Sequence, residues 1–150
     1  MIVGFTGTQH GMNALQKLMF VGVLARLCPT EFHHGDCIGA DAEADALVRE
    51  HAPKCFIVIH PPINPRMRAF RVPNAARKPK DYLKRNRDIV TECSVIIACP
   101  REAQEKDLYR SGTWSTVREA RRQKKRCMVI TPDGNWYWDS DGKPLALGVR

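Results

Sequence analysis

Three short stretches of the sequence combine glycine with hydroxyl, amide or carboxylate side chains, a composition that suits the binding of a phosphorylated ligand. Residues 7 to 11 read GTQHG, residues 35 to 41 read GDCIGAD, and residues 111 to 113 read SGT. Glycine lets a backbone approach an anion closely, and the N–H groups at the start of a helix bind phosphate readily. The three stretches therefore predict anion-binding turns. Each also suits the ordinary role of a tight turn followed by a helix cap.

The first turn matches neither of two common phosphate-binding fingerprints. Counted from Gly7, the G-x-G-x-x-G pattern of dinucleotide-binding proteins fails at Gln9, and no lysine stands where a P-loop requires one. The sequence thus disfavours an ordinary NAD dehydrogenase and a P-loop NTPase. Asp36 suits a hydrogen bond to ribose hydroxyls, and it equally suits a turn or a cap. Asp41 is expected to stabilise the start of a helix.

The histidines and cysteines lack the spacing of a metal site or a disulfide framework. His33 and His34 have no partner at a typical metal-binding spacing, so no metal site and no cofactor are expected. The six cysteines are scattered without a C-x-x-C pair, and most resemble small buried side chains. Cys37 is the exception, because it lies in the second turn, where its thiol is expected to be accessible.

Positive charge is concentrated in two stretches of the chain. The formal net charge is +8; residues 66 to 87 contain nine Lys or Arg against one Asp, and residues 118 to 126 contain six against one Glu. Such runs are often solvated surfaces. They are also typical of proteins with an anionic partner, either a phosphorylated small molecule or a nucleic acid.

Short apolar runs alternate with segments of helical periodicity, which is typical of βα units around a parallel sheet. We expect an α/β fold with an open, mainly parallel five-stranded sheet in the order 3-2-1-4-5, flanked by helices, so that the three turns meet at one edge. The predicted strands are residues 2 to 7, 31 to 35, 55 to 60, 94 to 99 and 127 to 131. The predicted helices are 13 to 27 with Asn13 as the N-cap, 40 to 51, 80 to 92 and 113 to 125.

The remaining segments are predicted to connect the strands and helices rather than to add further helices or a second sheet. Residues 61 to 79 contain five prolines and form a long irregular connection. Turn signals at Asp133-Gly134 and Asp141-Gly142 around an aromatic triplet predict a small C-terminal hairpin. Residues 1 to 150 are expected to form one domain. No apolar run reaches the length of a membrane span and no signal peptide opens the sequence, so a cytoplasmic protein without a membrane partner is expected.

Taken in order, the segments GFTGT, HHGDCIGADAEA, YLKRNRDIV, VIIACP and RSGTWSTVREARRQKK resemble the SLOG superfamily, in particular its small stand-alone YspA/YpsA-like branch. The resemblance spans residues 2 to 132 and rests on the ordered set rather than on one motif. It implies a Rossmann-like sheet with a pocket for nucleotides or ADP-ribose-like molecules. Relatives include phosphoribohydrolases, a DNA-binding branch and sensor domains for NAD-derived signals.

The resemblance also implies roles for individual residues. It places Gly7, Thr8, Gly35 and Asp36 at the nucleotide, Arg85 and Asn86 beside it, and Gly112 and Thr113 on the phosphate. Together with their neighbours in the same turns, the predicted ligand-binding residues are Gly7, Thr8, Gln9, Gly35, Asp36, Cys37, Ile38, Arg85, Asn86, Ser111, Gly112 and Thr113.

The sequence departs from the phosphoribohydrolases at the motif that those relatives use for catalysis. They carry P-G-G-x-G-T-x-x-E; here ten residues separate Pro100 from Ser111, and Thr116 stands in the place of the glutamate. A carboxylate must then come from elsewhere, and Asp36 and Glu119 are the catalytic candidates. Because neither matches the motif, we expect AMP to be hydrolysed slowly or not at all.

Three functions remain open at this stage. The leading one is the binding of a nucleotide-derived phosphorylated molecule, for sensing, sequestration or processing, by a chain expected to form a homo-oligomer. Processing would take the form of hydrolysis of an N-glycosidic bond. The second is nucleic-acid binding through residues 66 to 87 and 118 to 126. The third is a subunit whose pocket is vestigial and whose Trp136, Tyr137 and Trp138 mediate assembly.

Overall fold

The computed structural model describes residues 1–105, 111–140 and 143–145. Its centre is one eight-stranded sheet in the order β4-β3-β2-β1-β5-β6-β7-β8. The strands β1 to β6 run parallel, whereas β7 and β8 are antiparallel to their neighbours. The bounds are β1 Ile2–Gly7, β2 Glu31–His34, β3 Phe56–Ile59, β4 Ala75–Ala76, β5 Val95–Cys99, β6 Arg126–Ile130, β7 Trp136–Ser140 and β8 Lys143–Leu145.

The predicted α/β class and mainly parallel sheet are confirmed. The five predicted strands are β1, β2, β3, β5 and β6, and they lie in the predicted order. The strand count differs, because β4 adds an edge beside β3 and the hairpin strands continue the sheet beyond β6. The strand β4 was missed because two alanines in a proline-rich segment show no apolar periodicity.

Four helices connect the strands close to the predicted positions: α1 Ala14–Leu27, α2 Ala40–His51, α3 Tyr82–Glu92 and α4 Gly112–Arg122. Asn13 caps α1 in a capping box with Gln16, as predicted for the N-cap. The helix α3 begins two residues later than predicted because Asp81 serves as its N-cap and accepts the N–H of Lys84. The helix α4 begins one residue early, with Ser111 as the cap.

The helices cover both faces of the sheet and create two apolar cores. On one face Phe5, Phe20 and Phe32 pack among residues of α1 and α2. On the other face Ile89 of α3 and Trp114 of α4 pack against β5 and β6. None of the described helices is long and apolar enough to cross a membrane.

The strand β1 lies between β2 and β5, so the chain changes direction across the sheet at this point. In open α/β sheets such a switch point leaves a crevice outside the carboxyl ends of the strands. The loops after β1 and β2 and the N-termini of α3 and α4 therefore surround one opening.

The connection between β3 and α3 is irregular, as predicted, but it is attached to the β2–α2 loop. Besides the two-residue strand β4, it contains a 3-10 turn, Pro65–Met67. The N–H of Ile38 donates to the carbonyl of Met67 at 3.0 Å, and that of Ala69 donates to the carbonyl of Asp36 at 2.8 Å. These bonds hold the connection beside the crevice.

The predicted C-terminal hairpin is present. A turn with Gly134 at a φ of +85° leads from β6 into β7, while the second predicted turn, Asp141-Gly142, lies outside the described residues. Trp136 and Trp138 pack on the first core, and Tyr137 packs on the second. Packing within one chain therefore accounts for all three aromatic side chains, and no contact with a second copy is needed to explain them.

Candidate functional site

A cleft of about 750 Å³ lies at the switch point of the sheet. Its wall is formed by the loops after β1 and β2, the start of α3, the start of α4 and part of the connection between β3 and α3. The structure brings ten of the predicted ligand-binding residues to this wall: Gly7, Thr8, Gln9, Gly35, Cys37, Arg85, Asn86, Ser111, Gly112 and Thr113. Asp36, Ile38 and Glu119 are not part of the wall.

Arg85 is the buried cation of the cleft. Its side chain comes from the first turns of α3 and is only 8% exposed. The Nη1 atom donates to the carbonyl of Gly35 at 2.9 Å and to the Sγ atom of Cys37 at 3.0 Å. Its Nε atom is buried and has no hydrogen-bond partner among the described residues. The guanidinium group is thus fixed on one side and unsatisfied on another.

The start of α4 offers backbone donors to the same cleft. Ser111 Oγ accepts the N–H of Trp114 at 3.2 Å, which leaves the N–H groups of the first two helical residues, Gly112 and Thr113, outside the cap. Of the residues that the structure describes, a Cβ atom added at Gly112 would meet only Tyr82, at 3.9 Å. The described part of the chain therefore leaves the space above Gly112 open to a ligand.

The other two predicted glycines have packing roles as well. A Cβ at Gly7 would lie 2.5 Å from the Cβ of Ala40, so Gly7 allows the contact between β1 and α2. A Cβ at Gly35 would lie 2.5 Å from Arg85 Nη1, so Gly35 makes room for the guanidinium group. Their substitution would disturb the wall whether or not a ligand binds there.

Asp41 is a carboxyl group in the cleft wall that the sequence assigned only to helix stabilisation. Its Oδ2 atom accepts the N–H groups of Gly35 at 3.1 Å and Cys37 at 3.2 Å. Burial raises the pKa of Asp41 above its usual range, although His34, Arg85 and these two donors act in the opposite direction. Burial and the charge of Asp41 likewise raise the pKa of the Cys37 thiol.

Asp36 faces away from the cleft. Its carboxylate is fully buried and accepts hydrogen bonds from Arg68 Nε at 3.0 Å and from the backbone N–H of Arg71 at 2.9 Å. The backbone of Asp36 has a φ of +52°, and His34 Nδ1 accepts its N–H at 2.9 Å. The side chain therefore holds the β3–α3 connection on the β2–α2 loop, and this location does not favour the catalytic role predicted for it.

Glu119 also lies apart from the cleft. Its carboxylate accepts hydrogen bonds from Arg122, the last residue of α4, and from Gln123, the C-cap of that helix. Partial burial acts to raise the pKa of Glu119, but these bonds hold it below its usual value. Thr116, which stands where the phosphoribohydrolase motif has a glutamate, is buried and donates its hydroxyl to the carbonyl of Gly112 at 3.0 Å. Neither residue supplies a carboxylate to the cleft.

Sequence reasoning missed several residues of the wall. Pro62, Ile63, Asn64 and Met67 come from the proline-rich connection, and Arg101 and Glu102 follow β5. Only the length of that connection signalled a functional role, because irregular segments carry no periodicity that predicts where they fold. Asp41 was assigned by its position in a first helical turn, and its placement in the wall depends on the fold.

Most of the positive charge in the two basic stretches is paired with carboxylates. In residues 66 to 87, six of the nine basic side chains have such a partner: Arg68, Arg71, Arg77, Lys80, Lys84 and Arg87. In residues 118 to 126 the paired ones are Arg118, Arg121 and Arg122. Arg126 lies over the ring of Trp138, 4.1 Å from its centroid. These contacts weaken the case for an extended cationic surface.

Comparison with known proteins relates this chain to others by fold. No protein-family model matches the sequence, and a search of curated proteins finds no significant match. Among solved structures it is similar to the molybdenum cofactor binding protein from the phototrophic bacterium Rippkaea orientalis, with a TM-score of 0.65 and 20% identity over 87% of this chain and 76% of that one.

A second similar structure is the X-ray structure of TM1055, a target of the Northeast Structural Genomics Consortium. Its TM-score is 0.55 at 15% identity, over 84% of this chain and 71% of that one. These similarities agree with the Rossmann-like architecture that the sequence predicts.

Proposed function

We propose that the cleft binds a phosphorylated, nucleotide-derived small molecule, as the resemblance to the SLOG superfamily implies. The observation that carries this proposal is Arg85, a cation that is only 8% exposed and lies in the cleft wall together with the start of α4. A phosphate oxygen is the acceptor that a guanidinium group binds best.

The start of α4 supports the same ligand class. The N–H groups of Gly112 and Thr113 lie at the positive end of a helix dipole, and the space above Gly112 is open. Arg85 and these N–H groups belong to the same cleft. A phosphate or diphosphate between them would satisfy donors from two helices.

The structural neighbours bear on the choice of test ligands. One of them is described as a molybdenum cofactor binding protein, so that cofactor belongs in a binding panel beside the nucleotides. Thermal unfolding of the purified chain with AMP, ADP, NAD, ADP-ribose, cyclic ADP-ribose and molybdenum cofactor tests the proposal. A ligand at a hundred times its Kd stabilises the folded state by about 2.7 kcal/mol, which is a readily measured shift.

A pair of glycine substitutions separates binding in the cleft from binding elsewhere. Gly112→Val places a side chain in the cleft, whereas Gly22→Val places one on α1, where an added Cβ would meet no described residue within 4 Å apart from its chain neighbours and the adjacent helix backbone. The Gly112 variant is expected to lose the ligand-induced shift and the Gly22 variant to keep it. If no panel member stabilises the parent chain, or if Gly112→Val binds as the parent does, the proposal is wrong.

Hydrolysis of an N-glycosidic bond is the second candidate function, and Asp41 is the observation that favours it. This carboxyl group lies in the cleft wall, and its raised pKa suits a general acid or base. Incubation with AMP and chromatography of released adenine tests this function. Turnover that is lost in Asp41→Asn and retained in Glu119→Gln would assign the reaction to Asp41. If the parent releases no adenine, AMP hydrolysis is excluded and the binding proposal stands unchanged.

A further inference from the structure

A buried group of ionisable side chains lies between the sheet and the end of α3, and none of its members lines the cleft. His33 of β2 and His60, directly after β3, are nearly inaccessible to solvent. Glu92, the last residue of α3, lies beside them with its side chain 31% exposed. The ligating atoms of these three residues all lie within 4.8 Å of one another. Sequence spacing did not indicate this group, since the three positions are far apart in the chain.

The hydrogen bonds around His33 define which of its ring atoms has a lone pair. His33 Nε2 lies 2.6 Å from Glu31 Oε1, and a carboxylate accepts hydrogen bonds, so the neutral ring carries its proton on Nε2. The Nδ1 atom of His33 is then an acceptor. It lies 2.8 Å from His60 Nε2, which donates to it.

We propose that His33 Nδ1, His60 Nε2 and a carboxylate oxygen of Glu92 bind a zinc ion, with water in the fourth position. Two imidazoles and a carboxylate form a donor set typical of zinc with an open position. His60 Nε2 and Glu92 Oε2 are 3.6 Å apart, too far for a hydrogen bond. Ligand atoms on a tetrahedral zinc ion lie about 3.3 Å apart, so the two histidine nitrogens need to separate by only about 0.5 Å.

The surroundings of the three ligands match those of known metal sites. Metal-binding histidines usually donate their second ring N–H to a carboxylate, and Glu31 accepts that bond from His33. Arg77 donates to Glu92 Oε1 from Nη2 at 2.7 Å and from Nε at 3.0 Å, and its Nε atom also lies 3.3 Å from Oε2. His60 Nε2 lies 3.6 Å from Oε2, which is the oxygen proposed to bind the ion. The exposed part of Glu92 gives the ion a route from solvent.

Metal binding changes the tautomer of one ring and leaves the proton count of the site unchanged. Without metal, His60 Nε2 carries the proton that it donates to His33. With zinc on Nε2, that proton moves to Nδ1 of the same ring through solvent, and both rings stay neutral. The ion would connect β2, the residue after β3 and the C-terminal end of α3.

Metal binding to the chelator-treated full chain tests the proposal. Zinc titration by calorimetry is expected to give a Kd in the micromolar range or tighter, and Glu92→Gln is expected to weaken it at least tenfold. Glu92 is partly exposed, so this substitution is compatible with folding, which circular dichroism checks. Glu31→Gln, which removes only the carboxylate behind His33, is expected to weaken zinc binding by about 10- to 100-fold. Glu50→Gln at the end of α2 is the matched control and is expected to bind zinc as the parent does.

The free cysteines require a separate readout, because Cys28 is exposed and Cys37 is partly accessible. Cobalt bound to two histidines and a carboxylate shows visible absorption without a sulfur-to-cobalt charge-transfer band. The proposal is overturned if the parent binds no zinc in the micromolar range, if Glu92→Gln binds it equally well, or if the cobalt spectrum shows thiolate ligation that Cys28→Ser or Cys37→Ser removes.

Discussion

Arg85 both packs within the fold and lies in the wall of the cleft where the ligand is proposed to bind. Its Nη1 atom is held by the backbone of Gly35, so the orientation of the guanidinium group exists before any ligand arrives. Pre-orientation reduces the entropy that binding must overcome. Removing this group should therefore weaken binding more than the loss of an exposed charge would.

Arg85→Gln is expected to weaken the best ligand of the binding panel by about 10- to 100-fold, since hydrogen bonds to charged groups contribute about 1.5–3 kcal/mol. Arg87→Gln is the matched control two residues along α3, because Arg87 is exposed and pairs with Glu119. Isothermal titration calorimetry measures both variants. Equal losses in the two would mean that long-range charge, rather than the cleft, attracts the ligand.

Asp45 of α2 is a buried carboxylate that binds the connection between β3 and α3 through Arg71. Its side chain is fully buried and contacts His34 Nε2 at 2.8 Å, Arg49 Nε at 2.7 Å and Arg71 Nε at 2.8 Å. Burial acts to raise the pKa of Asp45, but hydrogen bonds from His34, Arg49 and Arg71 bring it well below its usual value. The folded state thus favours the ionised carboxylate.

The Asp45 contribution should depend on pH in one direction. A carboxyl group whose pKa is lower in the folded state contributes its full stabilisation of the fold above its unfolded-state pKa of about 3.9. That contribution is lost as the pH falls through the pKa of the folded state. Asp45→Asn is therefore expected to lower the free energy of unfolding by about 3 kcal/mol at pH 7 and by less at pH 3. Urea unfolding at both pH values measures the difference, with Glu50→Gln as the exposed acidic control on the same helix. A gap that is the same at both pH values would contradict this account.

At the scale of elements, the start of α2 is locked against the loop after β1. Gly39 has a φ of +89°, and a Cβ atom there would overlap the backbone of Gln9. The N–H of Ala40 donates to the carbonyl of Thr8 at 3.0 Å. The two loops that form much of the cleft wall are therefore one packed unit.

Gly39→Ala is expected to destabilise the chain by about 2–4 kcal/mol, because the new methyl group forces both a strained backbone and a shift of the Gln9 loop. Gly22→Ala in the middle of α1 is the control, and it is expected to stabilise by about 0.5–1 kcal/mol, since nothing lies within 4 Å of the added atom. Urea unfolding of both variants checks this. A neutral Gly39→Ala would mean that the loops separate freely.

The helices and strands could be predicted from the sequence more readily than the orientations of individual side chains. Apolar runs and the cap at Asn13 defined strands and helices because those signals are local. The direction of Asp36 depends on Arg68 and Arg71, which lie more than thirty residues away, and no local signal reports that partnership. The same holds for Asp41 in the cleft and for the group of His33, His60 and Glu92, whose members meet only after β2, β3 and α3 have packed together.

At the scale of the whole molecule, the number of Lys and Arg residues in the two basic stretches overstates how many unpaired cations those stretches offer. Nine of their fifteen Lys and Arg side chains pair with carboxylates of described residues, among them Arg121, which binds both Glu105 and Asp139. A side chain held by a carboxylate must lose that partner before it neutralises a phosphate. The nucleic-acid alternative therefore has less support from the fold than from the composition.

This charge distribution predicts weak and unselective DNA binding. Fluorescence anisotropy with a labelled duplex is expected to give a Kd in the non-specific range of about 10⁻⁴–10⁻⁶ M at physiological salt. The slope of log K against log salt should correspond to fewer than about four phosphate contacts, since each contact contributes about −0.9 and most of the basic groups are already paired. The Gly112→Val variant, which should lose the small-molecule ligand, is expected to bind DNA as the parent does, because the basic stretches remain intact. Nanomolar binding with a slope near −6 or steeper would show that the ion pairs open on contact with DNA, and would favour nucleic acid as the partner of the basic stretches.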